Sequence, residues 1–330
     1  MTDEAIVKII ENAGLGHVSG QVSQVSGGFM HRMYRVDTPG GTYAVKHLNP
    51  VIMKRPDAMD NYRRAEKLEV ILEEAGIPIA PALTVNGKKM QELDGEYYYI
   101  FNWLDGHITD WDGITADQCR QAGNIQGRIH TVKQEDVLHI EQEPVVIDWD
   151  GYIKQAERIS SPILPLLKTD CELLTYAQDA VNTAKAALPD IVCITDEDMD
   201  PKNVMWVDGR PVVIDLECLD YGNPVSHVLQ LSLQWAGITT CDLNLELQKS
   251  FFEGYLEAYD NGFRDYGSVF GVAYTWIEWL EYNITRALDR SLPLSEQELG
   301  ITEVTNTIRR MAYLRAREES IIHNIENLFG

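Results

Sequence analysis

Between Cys193 and Cys218 the chain reads CITDEDMDPKNVMWVDGRPVVIDLEC, and Asp196, Asp198, Asp200, Asn203 and Asp215 crowd into it. Two chemistries use oxygen donors at such density. A calcium loop of the EF-hand kind would place alternating carboxylates at Asp196, Asp198 and Asp200. It also needs Gly at its sixth position and Glu at its twelfth. Pro201 and Val207 stand there, which excludes it. The other chemistry is phosphoryl transfer with magnesium, a cation that takes few protein oxygens and shares its shell with phosphates. Such sites use one Asp to accept a hydroxyl proton, an Asn five residues later, and a further Asp, the last two holding metal. Asp198, Asn203 and Asp215 have that order and spacing. Asp200, directly before Pro201, reads as a turn former.

These residues have to be brought together by local structure. VMWVDGRPVV carries Asp208-Gly209 between two apolar runs, the signal of a tight β-hairpin. With the turn centred there, Met205 faces Val212 and Asn203 lies opposite Ile214. Asn203 and Asp215 then share one end of a two-stranded ribbon, with Asp198 on the loop before it. The same chemistry asks for a lysine on the third strand of an upstream sheet and a helix carboxylate to hold it. YAVKHL supplies Lys46, and the following helical segment supplies Glu66 and Glu69.

Around these points, residues 3–13 read as a helix, and 21–48 as a three-stranded meander punctuated at Gly27-Gly28 and Pro39-Gly40-Gly41. Residues 57–78 read as a helix with Ala65, Leu68, Leu72 and Ala75 on one face. Further strands are expected at 82–85 and 96–102. Helices are expected at 115–132, 173–188, 226–236, 243–260, 268–289 and 303–328. His130 reads as a packed core histidine, and Trp276 and Trp279 as core.

The pieces SGGFMHRMYRVDTPGGTYAVKHLNP, AEKLEVILEEAGIPIAPAL, DMDPKNVMW and VVIDLECLDYGNP resemble the aminoglycoside phosphotransferase and choline kinase-like family, and a bacterial member of it. The resemblance covers nearly the whole chain. It implies an α+β, bilobed protein-kinase-like fold: an N-terminal nucleotide-binding lobe over 1–102 and a helical catalytic and substrate lobe over 103–330. It implies ATP and Mg2+ as cofactors, Lys46 on the phosphates with Glu66 as its partner, and Gly27 and Gly28 over the phosphates. Backbone groups from Asn102 to Leu104 would meet adenine. Asp198 would be the base, and Asn203 and Asp215 the metal ligands. The family usually carries His two residues before the base, where this chain has Asp196.

The chain has 330 residues and a formal net charge of -23, which repels nucleic acid and attracts a cationic small molecule. No apolar run is long enough to span a bilayer, the first residues lack a basic leader, and a cytoplasmic monomer or homodimer is expected. Cysteines are odd in number, five in all, with no CxxC, so reduced thiols are expected. The expected activity is ATP-dependent phosphorylation of a hydroxyl on a small molecule, an amino sugar or amino alcohol. The alternative is a nucleotide-binding pseudokinase with a regulatory or interaction role.

Overall fold

The computed structural model describes residues 3–25, 31–134 and 137–329. Gly27 and Gly28 therefore lie outside the described residues. The fold is mixed α+β, with a five-stranded antiparallel sheet and a helical part. The chain divides into two compact units, Met1–Thr109 with Asp196–Asp220, and Asp110–Thr195 with Tyr221–Gly330.

The first unit opens with α1 (Asp3–Asn12), β1 (Ser23–Val25), β2 (Arg32–Thr38) and β3 (Gly41–His47). It continues with α2 (Ala58–Glu74), β4 (Gln91–Leu93) and β5 (Glu96–Asn102). The strands lie in the order β1-β2-β3-β5-β4. Alternation sorts their side chains onto two faces. Val36, Val45, Tyr98 and Ile100 pack with Ile6, Ile9 and Ile10 of α1, while Leu48, Tyr62 of α2, Ala82 and Tyr99 form a second cluster. Each fully buried aliphatic side chain contributes roughly 1.5–3 kcal/mol.

The fifth strand is not at 82–85. Pro78 and Pro81 remove backbone donors there, and Val85 forms an isolated bridge to Lys88 in place of a strand. Instead Asp94 and Gly95, both at positive φ, turn a hairpin that pairs Gln91 with Tyr98 and Leu93 with Glu96.

A single cut between residues 102 and 103 also does not describe the first unit. After β6 (His107–Ile108) the chain leaves, and it returns at the end of β7 (Cys193–Asp196). It then forms the hairpin of β8 (Val204–Val207) and β9 (Arg210–Val213), and departs within β10 (Leu219–Gly222). Hydrogen bonds explain why the hairpin belongs here. His107 pairs with Trp206 and Ile108 with Met205. Ala80 N–H donates to the Val213 carbonyl, and Val213 N–H to the Pro78 carbonyl, each at 2.8 Å.

The second unit is helical: α3 (Ala116–Thr131), α4 (Trp149–Arg158), α5 (Leu164–Thr169), α6 (Cys171–Ala187), α7 (Pro224–Trp235), α8 (Leu245–Ala258), α9 (Trp276–Leu288), α10 (Leu294–Arg315) and α11 (Glu318–Glu326). Helices α3 and α8 meet backbone to backbone. A Cβ at Gly123 would stand 2.0 Å from the Phe251 carbonyl oxygen, so only glycine fits. His130, Gln126, His227 and Tyr255 form a buried polar cluster in this unit. The Gln126 amide nitrogen lies 2.6 Å from His130 Nε2 and 2.5 Å from His227 Nδ1, and His130 Nδ1 lies 2.8 Å from the Tyr255 hydroxyl. An amide that donates to both rings requires both imidazoles to be neutral at those atoms. His130 is thus a packed core histidine, as its place on an apolar helix face suggested.

Candidate active site

The hairpin has the expected register. Asp208 and Gly209 both take positive φ, the requirement of the tight turn, and Met205 pairs with Val212. Ile214 N–H donates to the Asn203 carbonyl at 2.9 Å, which sets Asn203 beside the chain leading into Asp215.

The loop before the hairpin is a closed set of hydrogen bonds. Asp200 Oδ1 accepts from Lys202 N–H at 3.0 Å and caps the 3-10 turn Pro201–Asn203. The Asn203 amide nitrogen donates to Asp198 twice, at 2.8 Å to its carbonyl and 2.8 Å to Oδ2. Lys202 Nζ lies 2.6 Å from Asp198 Oδ1 and 2.8 Å from Asp200 Oδ2. Burial pushes the Asp200 carboxyl up to about 6, against the pull of Lys202.

Asp196 sits beneath this loop, 1% exposed. Its Oδ1 accepts from Asp198 N–H at 3.2 Å, so it braces the backbone of the residue that follows by two. Its Oδ2 is buried and has no hydrogen-bond partner among the described residues. Burial, then the charge of Asp198, holds its carboxyl well above the usual range.

Lys46 stands on β3, paired with Met33 and Tyr99 on either side, and is 4% exposed. A buried ammonium needs carboxylates around it. Its partners are Asp215 Oδ1 and Glu217 Oε1, each at 2.6 Å. Burial alone would lower its pKa; Glu217 and Asp215 more than reverse that. Glu217 in turn lies 2.9 Å from His31 Nε2 and 3.4 Å from the Tyr62 hydroxyl. Burial pushes the Glu217 carboxyl up, but the Lys46 ammonium and the His31 hydrogen bond bring it down to about 2. Asp215 adopts φ 60°, ψ 60°, a left-handed conformation that a non-glycine residue keeps only when its surroundings over-determine it.

The helix carboxylates go elsewhere. Glu66 Oε1 accepts from the Tyr99 hydroxyl at 2.9 Å and from Met90 N–H at 3.0 Å. Glu69 is bonded to Lys89 and accepts from Ala82 N–H. The expected Lys46–Glu66 ion pair is therefore replaced by pairs to Asp215 and Glu217. Glu66 still lines the same cavity as Lys46, Tyr62, Phe101, Asp215 and Glu217. The physical reason is local: Tyr99, next to Lys46 across the sheet, reaches Glu66 with its hydroxyl. Asn102 ends β5 opposite Tyr43, and Trp103 N–H donates to the Thr42 carbonyl at 3.0 Å, so Leu104 follows directly after the end of β5.

Sequence reasoning picked Lys46, Asp198, Asn203 and Asp215 for one site but divided them between two lobes; the structure sets all four in one compact unit, together with Glu217, His31 and Lys202, which that reasoning missed. Glu217 had one signal, a carboxylate two residues past Asp215. The pairing of His31 depends on tertiary position, whereas Lys202 meets Asp198 and Asp200, four and two residues before it in sequence.

The family of the chain follows from its sequence. A family model described as the phosphotransferase enzyme family matches residues 21–269, well over half of the chain. The chain belongs to this phosphotransferase family. Solved structures similar to it include a spectinomycin phosphotransferase in complex with ADP and spectinomycin, at TM-score 0.69 and 12% identity, covering 94% of this chain and 98% of that one. An amicoumacin kinase in complex with AMP-PNP and Ca2+ aligns at TM-score 0.63 and 13% identity, over 94% of each chain. A choline/ethanolamine kinase family protein from Mesorhizobium loti aligns at TM-score 0.65 and 16% identity, over 98% of each. At these identities the likeness is one of fold, and the fold is kinase-like. No curated protein matches the chain in sequence.

Asn203 and Asp215 carry hard oxygen donors, the kind that could hold a divalent cation. The Asn203 amide nitrogen is committed to Asp198, which leaves Oδ1 as the atom for a cation. Asp215 is 37% exposed at its side chain, unlike the covered Lys46. Among the described residues no group of three or more His, Cys, Asp or Glu is placed to hold a metal.

Proposed function

We propose that this phosphotransferase moves the γ-phosphoryl group of ATP, with Mg2+, to a hydroxyl of a small amino-bearing molecule. The observation that carries this reading is the joint geometry of Lys46 on Asp215 and Asn203 on Asp198 within one compact unit. Lys46 supplies a fixed positive charge for phosphate oxygens, and Asn203 and Asp215 hold the cation that neutralises the transferring group. Asp198 takes the acceptor's proton. Its Oδ2 is oriented by Asn203 and its Oδ1 by Lys202, while 37% of the side chain stays open to an acceptor. Positioned base catalysis of this kind is worth roughly 10²–10⁴-fold.

The acceptor class rests on charge: a net charge of -23 draws cations to the protein and penalises anions. Spectinomycin phosphotransferase and choline/ethanolamine kinase family proteins share the fold, in keeping with an amino alcohol or amino sugar. The regulatory alternative, nucleotide binding without transfer, draws on Asp196 in place of histidine. Phosphorus NMR of the purified chain with MgATP and a panel of amino sugars, amino alcohols, neutral sugars and amino acids tests both. A phosphomonoester product that is lost in Asp198→Asn supports the kinase. ATP binding with no product from any acceptor supports the alternative.

A further inference from the structure

We propose that Glu217, clamped by His31 and Tyr62, is the residue that positions Lys46 for the nucleotide in this chain. The proposal rests on the kinase reading for what Lys46 contacts, and on geometry alone for what holds it.

Lys46 needs a carboxylate that stays in place when the phosphates arrive. Asp215 is a poor holder, because its carboxylate is the half-open one that serves the cation. Glu66 has its Oε1 satisfied by the Tyr99 hydroxyl and the Met90 N–H. Glu217 remains, 2.6 Å from Lys46 Nζ and 17% exposed at its side chain.

Glu217 is itself built in. Asn49 N–H donates to His31 Nδ1 at 2.9 Å, which makes Nδ1 an acceptor and assigns the ring proton to Nε2. His31 Nε2, which carries that proton, lies 2.9 Å from Glu217 Oε2. The Tyr62 hydroxyl reaches the same oxygen at 3.4 Å. His31 precedes β2, Asn49 follows β3 and Tyr62 belongs to α2. Two side chains, His31 and Tyr62, thus meet one carboxylate oxygen, with Asn49 bracing His31 from behind, and leave the other oxygen for Lys46. Groups that hold a charged side chain in its working geometry act as a supporting shell. The same clamp pins the residue two positions after Asp215, and so helps hold Asp215 in its left-handed conformation.

The test compares Glu217→Gln, Glu217→Asp, His31→Asn and Glu66→Gln in the full chain. One readout is affinity for MgADP by calorimetry, with the split between KM for ATP and kcat. The other needs no nucleotide: the rate at which an amine reagent modifies Lys46 at fixed pH, followed by mass spectrometry. Glu217→Gln should weaken MgADP at least tenfold, raise KM more than it lowers kcat, and speed Lys46 modification at least fivefold. Glu217→Asp should recover part of each loss. His31→Asn should move both readouts about threefold in the same direction, and it decides the matter if Glu217→Gln does not fold. Glu66→Gln should change both readouts less than Glu217→Gln does. The proposal is overturned if Glu66→Gln has the larger effect, or if Glu217→Gln and His31→Asn leave Lys46 modification unchanged. Should the unsubstituted chain fail to bind MgADP, the kinase reading falls, and the lysine readout alone decides the clamp.

Discussion

Lys46→Met removes the one ammonium between Asp215 and Glu217 and leaves two carboxylates facing an apolar side chain. The size of the loss can be worked from Glu217. Its carboxyl drops from 4.5 to about 2 in the folded protein, and at about 1.4 kcal/mol per pKa unit this corresponds to ~3 kcal/mol. Breaking a buried pair by removing one partner costs about 3–5 kcal/mol in general, so ~3 kcal/mol is the expected loss at pH 7. The sign with pH follows. A carboxyl whose folded pKa is depressed contributes stability that is fully present above 4.5 and lost as pH falls toward about 2. In Lys46→Met the share of that contribution due to Lys46 is gone while that of His31 stays, so the deficit should be largest at neutral pH and narrow on acidification. Urea titration with hydrogen exchange of β3 peptides, at pH 7 and pH 4, reads this directly for the first unit. A deficit below ~1 kcal/mol at pH 7, or one that grows in acid, would refute the buried-pair reasoning.

Three other substitutions probe separate features. Asp215→Asn should abolish most of the rise in melting temperature that MgATP gives the unsubstituted chain, since a ligand stabilises only the state that binds it; a full shift in the variant would exclude Asp215 from the cation site. Asp196→Asn should stabilise the first unit at pH 7. A carboxyl whose folded pKa is raised above 3.8 opposes folding as pH climbs through that folded value, so the gain should vanish below about pH 3.8, as denaturant midpoints at several pH values would show. His130, held well below 6.5 by burial and then by His227, contributes stability above pH 6.5 that is lost as pH falls. Protection factors in α3, corrected for the base-catalysed intrinsic exchange rate, should therefore fall between pH 7 and pH 5, and less so in His130→Phe.

The hairpin was legible because its signals are local. Asp208-Gly209 fixes the turn, the turn fixes the register, and the register delivers Asn203 and Asp215 to one end. Lys46 was legible because an apolar alternating strand surrounds it. The strand at 91–93 was not read, although Asp94-Gly95 is a turn signal of the same kind, because an apolar run at 82–85 competed for the assignment and the prolines beside it were underweighted. Helices α4 and α5 escaped because they are short and carry few apolar positions. The extent of α10 escaped because its first turns, LSEQELG, are mostly polar. The partner of Lys46 was misassigned for a different reason. Choosing between Glu66 and Glu217 depends on what Tyr99, Met90 and His31 do in three dimensions, and nothing in the spacing of the two glutamates encodes that.

The placement of the hairpin in the first unit also bears on how the protein is made. Lys46 and Asp215 touch across 169 residues of sequence, and the helical segment from Asp110 to Thr195 is synthesised between them. At about 5–20 residues per second, the sheet leaves the ribosome many seconds before the carboxylates that neutralise its buried lysine. Through that interval Lys46 has no Asp215 or Glu217, and the 78–80 segment has no β9 beside it. The N-terminal strands therefore wait in an unfinished state that closes only when residue 217 emerges. A truncation anywhere before that point yields a sheet with an orphaned internal charge, a substrate for chaperones rather than a small domain.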